Sequence, residues 1–172
     1  IADVLFGDFN PAGRLPFSVP RSVGQIPLYY NKKAPQSHDY VEMSASPLYP
    51  FGYGLSYTSF DYSDLHLSAL MPRSFEISFK VRNTGKYDGE EVAQLYLRDE
   101  YASVVQPLKQ LKHFARFYLK RGEEREVKFI LSEEDFSLVD RNLKKIVEPG
   151  TFQIMIGAAS NDIRLQTKVE IK

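Results

Sequence analysis

The strongest constraint on this chain is a period of two. Phe75, Ile77, Phe79 and Val81 alternate with Glu76, Ser78, Lys80 and Arg82. Successive side chains of an extended strand point to opposite faces, so such a run has one face in a core and one in water. Asn83-Thr84-Gly85 then supplies a turn. Val92 to Leu97 reads as a second strand and Leu111 to Leu119 as a third. Lys120-Arg121-Gly122-Glu123 turns the chain into Val127, Phe129 and Leu131. Glu148-Pro149-Gly150 precedes Phe152, Ile154 and Ile156, and Asn161-Asp162 precedes Ile163, Leu165, Thr167, Val169 and Ile171. With Phe60 to Leu67 in front, about seven strands at turn-marked intervals predict an all-β sandwich. Ser132-Glu133-Glu134-Asp135-Phe136 is the helical candidate in this zone, a serine N-cap followed by acids that the helix dipole favours.

The residues before Phe60 follow no such period. Ile1 to Gly7 reads as the last turn or two of a helix ending at glycine. Asn10-Pro11-Ala12-Gly13 has the residues of a type I turn. Leu15 to Pro20 is extended, but its prolines confine it to an edge or exclude it from a sheet. From about Ile26 to Leu55 the chain is irregular, and the polar stretch from Asn31 to Tyr40 is the candidate mobile loop. Pro47 to Thr58 packs four aromatics, two prolines and two glycines into twelve positions. That composition is too apolar for a free linker and too constrained for helix or strand, so it predicts a segment lying along a surface.

Composition excludes several functions. Lysine plus arginine equals aspartate plus glutamate, 22 each in 172 residues, so no basic surface advertises nucleic acid. No apolar run is long enough to span a bilayer. Cysteine is absent and histidine occurs three times, at His38, His66 and His113. Thiolate metal sites and a cysteine nucleophile are thereby ruled out, and a histidine metal cluster is not expected. No metal or cofactor is expected. Because the chain starts at Ile1, inside what reads as a helix, it is expected to be a fragment.

Ordered along the chain, several motifs resemble one family. Asn10-Pro11-Ala12-Gly13-Arg14-Leu15-Pro16, Ser22 to Pro27 and Leu48 to Thr58 resemble the C-terminal region of β-glucosidases of glycoside hydrolase family 3. Asn83-Thr84-Gly85, Gln94-Leu95-Tyr96, Lys109 to Lys112 with Phe114, Glu148-Pro149-Gly150 and Ile156-Gly157 resemble the fibronectin type III-like domain that ends many of these enzymes. The resemblance implies residues 1–26 as the end of an α/β-sandwich domain, 27–55 as a crossover linker and 56–172 as an immunoglobulin/fibronectin type III-like β-sandwich. It also implies a parent that is a periplasmic or secreted retaining glycosidase acting on terminal β-linked glucose or related sugars. Its catalytic aspartate and glutamate would lie on a barrel domain and an α/β-sandwich domain, neither motif of which occurs here. Those two domains would be the partners of this chain, and a carbohydrate the substrate of the parent.

The fragment's own acids do not suggest catalysis. A retaining glycosidase holds two carboxyl groups about 5 Å apart. Glu90 and Glu91 are strand neighbours and point to opposite faces; Glu123-Glu124 and Glu133-Glu134-Asp135 sit where solvated acids are expected. No catalytic residue is therefore assigned. Tyr49, Phe51, Tyr53 and Tyr57 are expected to pack between domains, since apolar patches more often mark interfaces. Tyr29, Tyr30 and Tyr40 join them in the competing reading, a carbohydrate-binding module that stacks sugars on linker aromatics. A further alternative, an adhesion-type immunoglobulin-like module, fits the strands alone. His38-Asp39-Tyr40 is the polar cluster of the loop zone, with Asp39 and Tyr40 as speculative substrate-binding residues. Gly52-Tyr53-Gly54 lacks the lysine and the strand–helix setting of a phosphate loop. Arg14 is expected to bond carbonyls or a carboxylate.

Overall fold

Each predicted strand is present in the computed structural model, which describes residues 1–33 and 42–172. One antiparallel sheet contains β1 (Phe60–Met71), β2 (Ser74–Asn83) and β5 (Glu124–Leu131), in the order β1-β2-β5. The other contains β3 (Gly89–Asp99), β4 (Gln110–Leu119), β8 (Gly150–Ala159) and β9 (Asp162–Ile171), in the order β4-β3-β8-β9. The alternating residues point where the period predicts. Ile77, Phe79 and Val81 of β2 and Val127, Phe129 and Leu131 of β5 face Ala93, Leu95, Ile154 and Ile156 across a single core. Burying an isoleucine, leucine or phenylalanine there contributes about 1.5–3 kcal/mol relative to exposure.

Three local features refine the reading. The first strand runs past Leu67 to Met71, with the register shifted between Ser63 and His66 where Asp64 adopts φ 53°. Ser132 caps a 3-10 turn over Glu133–Phe136, its N–H and Oγ both bonded to Asp135 Oδ2 at 2.8 and 3.0 Å. That turn drops Phe136 into the core against Phe152, ring centroids 5.1 Å apart. Two short strands, β6 (Leu138–Val139) and β7 (Lys145–Ile146), form a small hairpin that is too brief to show a period.

Before the sandwich lie a short helix, α1 (Ala2–Phe6), and a 3-10 turn at Val23–Gln25. Gly7 ends α1 at φ 87°, a left-handed conformation suited to glycine, and its N–H bonds Val4 O. The type I turn expected at Asn10–Gly13 is not formed: these residues run without turn or bend and no backbone hydrogen bond closes them. The Asn10 side chain instead bonds distant residues, 56, 57 and 88. Residues 15–20 are extended with one isolated bridge, Val19 to Tyr49, as their prolines require.

Strand β3 breaks the alternation. Every residue from Val92 to Leu97 is buried. Ala93, Leu95 and Leu97 face the opposing sheet, whereas Gln94 and Tyr96 lie on the outer face beneath the linker. The four-stranded sheet is thus covered on both sides at its centre.

Candidate functional site at the junction of linker and sandwich

Polar contacts fasten the first 58 residues to the sandwich. Arg14 Nη2 donates to Glu91 Oε1 at 2.9 Å, with the two side chains only 11% and 3% exposed. Glu91 Oε1 also accepts from Tyr62 Oη at 3.3 Å and from the Val92 N–H at 3.1 Å. Asn10 donates to Asp88 O at 2.9 Å and accepts from Ser56 Oγ and the Tyr57 N–H at 3.0 and 2.8 Å. Gln94 Nε2 donates to Gly52 O and Ala158 O, and the Ser160 N–H donates to Phe51 O at 2.9 Å. Within the sandwich, beside these contacts, Lys109 Nζ donates to Ser160 O, and burial of this ammonium, with Arg98 nearby, lowers its pKa. Finally, Thr58 Oγ1 donates to Asn83 Oδ1 at 2.6 Å at the mouth of the Asn83-Thr84-Gly85 bend.

A glycine makes the closest of these approaches possible. A Cβ on Gly54 would stand 2.1 Å from Gly13 O and 2.5 Å from Arg14 Nη1. Gly54 therefore lets the linker close over Arg14 and keep it against the sandwich. Behind the pair, Tyr62 is pushed well above the ordinary phenol range by burial and then by the Glu91 carboxylate. Arg164 lies over the Tyr62 ring, 4.8 Å from its centroid, and pairs with Asp162 at 2.9 Å. Burial opposes the charge on Arg164, but its hydrogen bonds to the Asp162 carboxylate prevail and raise its pKa.

The linker aromatics divide into two groups. Phe51 stacks on Tyr30 at 4.0 Å and 14°, and Tyr30 meets Tyr96 of β3 edge-on at 6.3 Å, so these rings hold the linker to the sheet. Tyr49 and Tyr53 contact each other at 4.9 Å. Tyr57 donates to Val4 O while its ring is 47% exposed, and Tyr29 is 65% exposed. Asp39 and Tyr40, the speculative substrate-binding residues, lie outside the described residues together with His38.

The acidic clusters are matched by local partners. Glu90 binds Arg116 on the outer face and Glu91 binds Arg14 on the inner one, so the two diverge. Glu123 accepts from the Lys120 N–H, Glu124 pairs with Lys80, Glu133 with Arg73 and Glu134 with Lys145. His113 packs on Phe129 with Nε2 3.5 Å from Asp135 Oδ2. Among the described residues, no three His, Cys, Asp or Glu side chains converge as a metal site requires, and no helix is long and apolar enough to cross a membrane.

Period and motif marked Glu91 only as half of an acidic pair and Asn10 only as the start of a turn motif, neither as a residue that fastens the junction. Glu91 was nevertheless signalled, because it shares the parity of Ala93, Leu95 and Leu97, and an acid at an inward position must find a cation. Asn10 carried no comparable signal.

Comparison with known proteins agrees with this layout. Residues 1–57 match the glycosyl hydrolase family 3 C-terminal domain, and residues 91–160 match the fibronectin type III-like domain. The chain is 46% identical to a periplasmic β-glucosidase of Salmonella typhimurium, across 95% of this chain and 23% of that protein. It is 44% identical to a β-xylosidase of Formosa agariphila, across 97% and 24%. The crystal structure of a β-glucosidase from Listeria innocua superposes with a TM-score of 0.90 at 37% identity, covering 99% of this chain and 25% of that one. The chain thus spans about a quarter of the length of the relatives it matches. With both domain matches in order along it and the whole chain superposing on a solved β-glucosidase, the chain belongs to glycoside hydrolase family 3, whose C-terminal region it represents.

Proposed function

We propose that this chain is a non-catalytic brace of a retaining glycoside hydrolase that removes terminal β-linked glucose or a related sugar. The observation that carries the reading is the dense fastening of residues 1–58 onto the sandwich, centred on the buried Arg14–Glu91 pair. A catalytic carboxyl pair needs two acids facing one reacting centre. The acids of this chain's three acidic clusters are instead engaged with cations or backbone donors. Residues 1–26 then belong to an α/β-sandwich domain, 27–55 are the crossover and 56–172 the buttress. Exposed apolar side chains on the first part, among them Leu5, Phe6, Phe17 and Tyr57, suit contact with the barrel and α/β-sandwich domains of the same polypeptide. Tyr49 and Tyr53 belong to that contact, and Phe51 contributes by fixing the linker. Asp39 and Tyr40 remain candidates for a substrate subsite. A periplasmic or secreted location follows from the similarity to the Salmonella protein, which is named periplasmic.

The test is hydrolysis of an aryl β-glucoside by this chain alone and by the full-length polypeptide. Turnover is expected only from the latter. Turnover by the chain alone that is abolished by Glu→Gln changes within it would sink the reading.

A further inference from the structure

A polar cavity of about 510 Å³ opens at the junction, with Arg14 contributed by the first segment, Tyr53 by the linker and Glu91, Asn161, Asp162 and Arg164 by the sandwich. Its charges cancel in place: Arg14 pairs with Glu91 and Arg164 with Asp162, each at 2.9 Å. An added anion or cation would meet an opposing charge that is already engaged. What remains unused is hydrogen-bonding capacity. All three bonds to the Glu91 carboxylate fall on Oε1, which leaves Oε2 of a side chain only 3% exposed without a partner. Arg14 Nε is enclosed and has no acceptor. The Asn161 amide, on the exposed β8–β9 turn, adds an unpaired donor and acceptor at the rim. Tyr53, held by contact with Tyr49 at 4.9 Å, supplies an aromatic surface in the same wall.

A hydroxyl group both donates and accepts, so it answers a free carboxylate oxygen and a free amide where an ion answers only one. Ligand cavities of about 300–1,000 Å³ that set a few convergent polar groups beside apolar surface are the usual dimensions of a small-molecule site. We propose that this junction cavity binds a neutral polyhydroxylated molecule, a monosaccharide, with Glu91 Oε2 and the Asn161 amide holding its hydroxyls against the Tyr53 wall. Such a ligand bridges linker and sandwich, so its occupancy stabilises the docked linker. The site is independent of the exposed aromatics Tyr29 and Tyr57, and each of its two carboxyl groups, Glu91 and Asp162, is paired with an arginine.

The test is ¹H–¹⁵N NMR of this chain titrated with glucose, with inorganic phosphate as the ionic control. Saturable shifts are expected at the Asn161 side-chain amide and at Arg14 Nε–H, with Kd in the range of about 1–10 mM and no matching response to phosphate. Asn161→Ala, at an exposed turn and therefore without consequence for folding, should weaken glucose about fivefold, the equivalent of one hydrogen bond. Glu91→Gln should abolish the response if the variant folds, and Asn161→Ala carries the test if it does not. Absence of saturable shifts, shifts confined to Tyr29 and Tyr57, equal binding of phosphate, or an unchanged Kd in Asn161→Ala would each overturn the proposal. None of these outcomes bears on the brace, which rests on the docked linker and not on a ligand.

Discussion

Replacing Arg14 by methionine tests the brace most directly. The change keeps an apolar stem but removes the charge 2.9 Å from Glu91 in a pair whose side chains are 11% and 3% exposed. Deleting one partner of a buried pair costs about 3–5 kcal/mol, because the other charge is left without compensation. Glu91 would keep the Tyr62 hydroxyl and the Val92 N–H, which places the expected cost near the lower limit, about 3 kcal/mol. At this chain length 1 kcal/mol moves Tm by about 2–4 °C, so a fall of about 6–12 °C is expected. Replacing both partners, Arg14→Met with Glu91→Leu, removes the buried charge altogether and should recover all but about 1 kcal/mol. Glu91→Leu alone strands the Arg14 charge and is also destabilising, so calorimetry and urea denaturation of the four members of the cycle should give a coupling of at least about 2 kcal/mol. A shift below about 1 °C for Arg14→Met would put this pair with the weak ion pairs of protein surfaces and refute the reasoning. A second, earlier transition would refute it differently, by showing that the linker detaches without unfolding the sandwich.

Asn83 is fully buried and makes four side-chain hydrogen bonds, to Thr58 Oγ1, the Gly85 N–H, Tyr87 O and Leu119 O. Asn83→Ala should cost about 2–4 kcal/mol in urea denaturation, and Asn83→Asp should rescue nothing because it buries a charge. Asp88 has its carboxyl pKa lowered by the Arg121 N–H and then by the Tyr118 hydroxyl. A lowered folded pKa gives stability that is present above the ordinary aspartate value of 3.8 and is lost as pH falls through the folded value, so Asp88→Asn should flatten the acid limb of Tm against pH. Tyr30→Ala removes both the stack on Phe51 and the hydroxyl that accepts from the Leu111 N–H. Because linker and core open as one unit, amide exchange should quicken alike at Leu111, Gly52 and Leu95, and acceleration confined to Leu111 and Gly52 would contradict that cooperativity.

Most of the sandwich was legible because its alternating strands each carry their own period. Ile77, Phe79 and Val81, or Val127, Phe129 and Leu131, reveal both the element and its inward face without knowledge of any partner. The capped turn at Ser132 was equally local, since N-cap and acid sit three residues apart. The turn expected at Asn10–Gly13 failed for the opposite reason. Its composition suits a local hydrogen bond, but the Asn10 side chain finds partners 46, 47 and 78 residues away. A pattern that reads neighbours cannot weigh those.

The same distinction explains β3 and the junction. Val92 to Leu97 lacks alternation, and a continuous apolar run marks a strand covered on two sides without saying by what. The cover is the linker: Tyr30 and Phe51 over Tyr96, and Gly52 over Gln94. Gln94 and Tyr96 were visible in the sequence as a motif, yet their burial depends on a segment some forty residues earlier. Glu91 stands on the inward side of that strand, where an unpaired carboxylate would cost several kcal/mol. Arg14 meets that requirement from the segment before the linker, and Gly54 of the linker admits it by lacking a side chain. The segment before the sandwich is therefore the second cover of the four-stranded sheet and the counter-charge of its buried acid, Glu91. Removing it would leave both requirements unmet, which is why sandwich and linker are expected to stand or fall as a single cooperative unit.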